Sequence, residues 1–195
     1  MVGPCGRRRG AERHSPGWPA PADAVVMDAQ RPQIRPVRPD DGPAIAALYA
    51  ALSPDSRRSR FFGACRAISD LQAERFARAH ERGASGWVAL DAEGRILAHL
   101  CLEPLDRPRD RIEEVGVAVA EDWHGRGVGR ALLAGAIASA RRRGVIALEA
   151  TMLTGNHPIH ALLEHSGLPW TCHALEPGSE SIRLELGREA FESAA

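Results

Sequence analysis

Between Glu113 and Leu133 the chain reads Glu-Glu-Val-Gly-Val-Ala-Val-Ala-Glu-Asp-Trp-His-Gly-Arg-Gly-Val-Gly-Arg-Ala-Leu-Leu. A β-branched run enters a glycine-rich turn, and the turn enters a small-apolar helical pattern. The first turn of a helix carries N–H groups without intrahelical acceptors, and the helix dipole adds partial positive charge there. Gly125, Gly127 and Gly129 keep side chains away from those donors, and Arg126 and Arg130 add formal charge. Residue types in this order make a cradle for a phosphate ester.

Two common phosphate sites do not fit. A P-loop needs Gly-Lys-Ser/Thr, and the chain contains no lysine. A dinucleotide fingerprint needs G-x-G-x-x-G directly after the strand. Counting from Gly125 and Gly127 puts Arg130 in the third glycine's place, and Ala120 to His124 intervene after the strand. Glu149, at the end of the next predicted strand, imitates the ribose-binding acid of such sites.

His124-Gly125-Arg126-Gly127-Val128-Gly129 resembles the Gln/Arg-x-x-Gly-x-Gly/Ala motif of the GNAT acyltransferases, with Trp123 before it and Ala131-Leu132-Leu133 after. The similarity runs from about Ile34 to Leu186. It implies a mixed α/β (α+β), mostly antiparallel twisted sheet of about six or seven strands, flanked by four or five helices. It also implies acetyl-CoA as co-substrate, with the coenzyme A pyrophosphate held by His124, Gly125, Arg126, Gly127, Val128, Gly129 and Arg130. The segments Ile34 to Asp41, Leu52 to Arg57 and Arg60-Phe61-Phe62 resemble the acetyltransferase domain of bacterial protein-lysine acetyltransferases. At 195 residues the chain has no room for the extra domain those proteins usually carry, so regulation by one is not expected.

The implied reaction is attack of a primary amine on an acetyl thioester in a ternary complex. A lysine-like ammonium at pH 7 must first lose a proton, a deficit of about 4.6 kcal/mol, so a base is needed. The resemblance assigns that role to Glu114. Strand alternation puts Glu114, Gly116 and Ala118 on one face and Val115, Val117 and Val119 on the other, so Glu113 points away; otherwise both acids are solvated residues opening a strand. His99 is the alternative base. The family pattern also implies Val117, Ala118 and Val119 as the backbone edge that pairs with the pantetheine arm and polarises the thioester carbonyl.

Asn156 is either a helix cap or a coenzyme contact. Many relatives place a tyrosine acid seven residues after such an asparagine, but here that position is Leu163, and the only tyrosine is Tyr49. The loss implies a slower enzyme or, as a rival reading, a non-catalytic acyl-CoA-binding module. His157, His160 and His165 cluster on one helix without a carboxylate or cysteine to complete a set, so no metal site is assigned.

These residues need elements to hold them. Residues 1–32 are rich in Gly, Pro, Arg and Ala and are expected to be disordered, with Met27 an alternative start. The domain is expected over 33–187 and a tail over 188–195. Ile34 to Arg38 reads as an edge strand, because Pro36 excludes a central one. A helix capped by Asp40 or Asp41 follows, with Ile45, Leu48, Tyr49 and Leu52 inward. Ser53-Pro54 opens a second helix, and a third spans Ser69 to Arg82, closed by Gly83. Strands over Gly86 to Leu90 and Ile96 to Leu102 form a hairpin through Asp91 to Gly94. A strand over 111–119, a helix over 127–143, a strand over 145–150, a helix over 156–165 and two closing strands complete the pattern.

The formal net charge is zero, which gives no global attraction to nucleic acid or anionic membrane. No apolar run approaches a membrane span. Four scattered cysteines fit a reducing cytoplasm, and no signal peptide is evident. The expected partner is an amine acceptor, a protein lysine or a small molecule, met by a monomer or homodimer.

Overall fold

The computed structural model describes residues 32–61, 67–105 and 111–187. The expected disorder of 1–32, the Met27 start, the 188–195 tail and Phe62 therefore fall outside the described residues, Pro32 excepted.

Seven strands form one sheet in the order β1-β2-β3-β4-β5-β7-β6. They are β1 Gln33–Pro36, β2 Ser85–Leu90, β3 Ile96–Pro104, β4 Ile112–Val119, β5 Ala147–Leu153, β6 Trp170–Glu176 and β7 Ser179–Glu185. Neighbours are antiparallel except β4 and β5. Five helices flank the sheet: α1 Gly42–Ala51, α2 Pro54–Phe61, α3 Asp70–Ala77, α4 Val128–Arg142 and α5 His157–Ser166. This is the mixed, mostly antiparallel architecture that the sequence predicts.

Alternation along the strands sends side chains to two cores. Leu132, Leu133, Ala136, Ile137 and Ala140 of α4 and Leu163 of α5 pack on Ala89, Leu100, Leu148 and Ile182. On the opposite face Ile45, Leu48, Tyr49 and Leu52, in and just after α1, meet Phe76 of α3, Val88, Cys101 and Ala118. Pro36 sits on the edge strand, opposite Trp87.

Three local expectations change. Asp41 does not cap α1 with its side chain. Its carboxylate accepts from Arg38 N at 2.7 Å and from both ends of the Arg35 guanidinium at 2.7 Å, tying β1 to a short turn. The third helix, capped by Ser69, stops at Arg78, and a 3₁₀ turn over Ala79–Arg82 leads to Gly83 at φ +72°. β5 runs three residues past Ala150, because Thr151, Met152 and Leu153 keep pairing with β7.

His99 of β3 is fully buried between Phe76 and Tyr49, with Nδ1 3.1 Å from the tyrosine hydroxyl. Nε2 is sealed without a partner. Burial, with the Arg60 charge adding to it, pulls its pKa down to about 3. The unfolded chain therefore binds this proton at about pH 6.5 and the fold does not, so stability falls as pH drops from 6.5 toward 3. The total is on the order of 4–5 kcal/mol. Urea midpoints between pH 7 and 5 should fall steeply in the wild type and less in His99→Gln. Glu121, with a pKa of about 2, adds its own loss only below about 4.5. An unchanged slope in His99→Gln would place the acid sensitivity elsewhere.

Candidate active site

β4 pairs with β5 only through Ile112↔Ala147, Glu113↔Leu148 and Glu114↔Glu149. Beyond that point the two strands part, and no ladder joins residues 115–119 to β5. Val117, Ala118 and Val119 therefore keep one backbone edge without a strand partner among the described residues. β4 then ends in a short 3₁₀ turn, Glu121–Trp123, that leads to the glycine loop. Glu121 Oε1 accepts from Ser53 N at 2.7 Å, which pins this turn to the start of α2.

The loop enters α4 as its residue types require. Gly125 and Gly127 have φ of +71° and +79°, where side chains are strained, and nothing lies within 4 Å of a Cβ built at either. Gly129 has no such φ, and a Cβ there would meet Val119 Cγ2 at 3.7 Å, an ordinary contact. The helix ladder begins with Ala131 N donating to Gly127 O at 3.0 Å. The N–H groups before it have no intrahelical acceptor and stand at the N-terminus of a 15-residue helix.

Arg126 and Arg130 are exposed. The Arg126 guanidinium lies 5.0 Å over the Trp123 ring, a cation–π contact that holds the charge beside the loop. The His124 ring turns back: Nε2 donates to Val119 O at 2.9 Å and its backbone N–H to Glu121 O at 3.1 Å. It braces the junction of β4 and the loop.

The two neighbouring acids separate as alternation predicts. Val115, Val117 and Val119 pack toward α4, and Ala118 packs toward α1. Glu114, on the Ala118 side, is exposed. Glu113 is not the solvated residue that its place at a strand start suggests. It is buried, 7 % exposed, and accepts from Arg143 Nη2 at 2.6 Å.

Sequence reasoning passed over the row around Glu114. Glu103 and Glu149 stand opposite it on β3 and β5. Glu103 pairs with Arg82 at 2.8 Å and Glu149 with Arg183 at 2.9 Å. Glu114 has no ion pair among the described residues. The signal was available only through register, since the partners lie far apart in the chain.

The remaining candidates have structural partners. His99, the alternative base, lies in the core and faces no groove. Tyr49 is equally buried, and burial pushes its hydroxyl up to about 12. Leu163 fills the core between α4 and α5. Asn156 caps α5, its Oδ1 accepting from Ile159 N at 3.4 Å. His160 Nε2 lies 3.1 Å from Glu180 Oε1, and Cys172 Sγ donates to the other oxygen of Glu180 at 2.9 Å. Among the described residues no three side chains are grouped as metal ligands.

The sheet thus parts beside a strand–glycine loop–helix unit. Residues 45–168 match the family described as Acetyltransferase (GNAT) family, and the chain belongs to that family. By this membership it is an N-acetyltransferase. The GNAT domain of S. lividans PAT superposes with a TM-score of 0.70 at 26% identity, over 79% of this chain and 90% of that one. A phosphinothricin acetyltransferase from Sinorhizobium meliloti, in complex with AcCoA, gives 0.67 at 17% identity, covering 81% and 90%. The protein yncA from Salmonella typhimurium, solved with its cofactor acetyl-CoA, gives 0.66 at 20% identity, covering 85% and 100%. No curated protein matches the chain.

Proposed function

We propose that this protein transfers the acetyl group of acetyl-CoA to a primary amine by direct attack, with Glu114 as the base. The observation that carries the reading is the glycine turn into α4, where Gly125 and Gly127 take φ of +71° and +79° and leave open space before the N-terminus of a 15-residue helix. A pyrophosphate needs that space. In this reading the N–H groups of Gly125 to Arg130 hold it, with Arg126 and Arg130 supplying charge. His124 contributes by bracing the loop, and Asn156 by fixing the start of α5 nearby. The edge at Val117, Ala118 and Val119, on which the His124 ring already holds the Val119 carbonyl, takes the pantetheine arm as an added strand.

Bound acetyl-CoA supplies the thioester that the amine attacks. Glu114 takes a proton from the acceptor ammonium, which frees the nitrogen pair. The nitrogen bonds to the acetyl carbon, the carbon–sulfur bond breaks, and the sulfur leaves with the electron pair. Leu163 supplies no acid for it, so water protonates the thiolate. The second amine proton passes to solvent.

The resemblance of Ile34 to Asp41, Leu52 to Arg57 and Arg60-Phe61-Phe62 to protein-lysine acetyltransferases supports a protein lysine among possible acceptors, and the exposure of Glu114 admits a small amine equally. We place the protein in a reducing cytoplasm, in accord with Cys101 and Cys172 being thiols and not joined in disulfides, as a monomer or homodimer. Thiol release from acetyl-CoA, followed with a panel of amines, tests the proposal. Release that depends on an amine is expected. Tight coenzyme A binding with no amine-dependent release would make the protein a binding module, the reading that Leu163 favours.

A further inference from the structure

Arg60, in the last turn of α2, packs on Gly116, on the face of β4 that carries Glu114. Its guanidinium lies on Gly116, where a Cβ would come 2.7 Å from Cζ, so only glycine admits it. Nη2 makes a 3.5 Å contact with Cys101 Sγ, and the Phe61 ring is 5.2 Å away. Nε is sealed and has no partner. Burial pushes the Cys101 thiol and the Tyr49 hydroxyl up and pulls His99 down, so the groups packed around this cation are neutral at pH 7. No carboxylate among the described residues lies within ion-pair distance of it.

A part-buried charge without a counter-ion is costly. Every other charge in the row is matched: Glu103 by Arg82 and Glu149 by Arg183. Glu114 and the Arg60 guanidinium over Gly116 act on each other's charge, and Tyr49 hydrogen-bonds the guanidinium, but the two form no ion pair. Two residues along a strand separate them, about 7 Å. We infer that the acceptor is a small zwitterionic amine of the amino-acid class, its ammonium set against Glu114 and its carboxylate against Arg60. An ammonium and a carboxylate joined by a few bonds span that gap, once a hydrogen bond is added at each end. A lysine side chain in a protein brings the ammonium alone and gives Arg60 no carboxylate at hydrogen-bond range. The planar guanidinium offers a carboxylate parallel donors that an ammonium does not.

This inference rests on the reading of Glu114 as the amine-facing base, and its test has a readout independent of turnover. With coenzyme A present, free α-amino acids and their carboxamides are titrated against the full chain by calorimetry, and the same pairs are assayed for acetylation. At least one free acid should bind about 30-fold or more tightly than its carboxamide. Arg60→Gln should bring that ratio close to one, and Arg60→Lys should give an intermediate value. Acids and carboxamides bound alike by the wild type, or a ratio unchanged in Arg60→Gln, would overturn the assignment whatever the turnover. Discrimination in binding without any acetylated product would uphold it and sink the transfer reaction instead.

Discussion

Gly129→Glu should lose the coenzyme A-dependent rise in melting temperature while the unliganded variant melts no lower than the wild type. Saturation at a hundredfold of the dissociation constant stabilises a fold by about 2.7 kcal/mol, so the loss is large against the measurement. The substitution suits the protein without ligand. A Cβ at 129 meets only an ordinary contact, a carboxylate in the first turn of α4 interacts favourably with the helix dipole, and glutamate has the better helix propensity. Only a bound anion is opposed. Gly127→Val is less informative, because a β-branched residue at φ +79° strains the loop with or without ligand. If Gly129→Glu keeps the full thermal shift, the pyrophosphate does not sit on this helix.

Glu114→Gln should lower kcat by on the order of 10²-fold, the scale for losing a positioned base, with coenzyme A affinity nearly retained. Glu113→Gln is the control, and the structure changes what it should do. Its carboxylate is paired to Arg143 on the buried side of β4, so neutralising it should cost about 1–3 kcal/mol of stability. The turnover of the folded enzyme should stay near normal. Denaturant unfolding and steady-state kinetics on both variants separate the two roles. Equal kinetic losses, or none from Glu114→Gln, would remove Glu114 from the reaction.

The sequence revealed the elements whose signals are local. The change from β-branched run to glycine turn to small-apolar helix marked β4, the loop and α4, and period-two alternation along β4 separated Glu114 from Glu113. What it concealed depends on distant partners. Nothing near Glu113 announces Arg143, thirty residues on, so a charged residue at a strand start read as solvated. Asp41 read as a helix cap because Arg35, six residues before it, is a competing partner that no capping rule contains. The burial of His99 follows from α1 and α3 closing over β3, and the chain pattern does not state which helix covers which strand. Arg60 appeared only as part of an Arg-Phe-Phe match. Its seat on Gly116 exists only once α2 folds across β4.

The point where β4 and β5 part was equally invisible, since both strands continue as apolar alternation past Glu114 and Glu149. That parting gives the candidate site its free backbone edge. It sets Glu114 at the last paired register step, where the two strands part. The loop, the edge and the acid thus come from one strand and its exit, which is why a single motif pointed to so much of the candidate site.

The most direct test of acetyl transfer is intact-mass spectrometry of both enzyme and acceptor after incubation with acetyl-CoA. The chain has no lysine, so its only amine of comparable nucleophilicity is the N-terminal one, with a pKa near 7.7–8.0, and arginine stays protonated. The account predicts an acceptor heavier by one acetyl group that resists hydroxylamine, and an untagged enzyme carrying at most one such group, at its N-terminus. An unmodified acceptor beside an enzyme that holds a hydroxylamine-labile acetyl on a cysteine would contradict it.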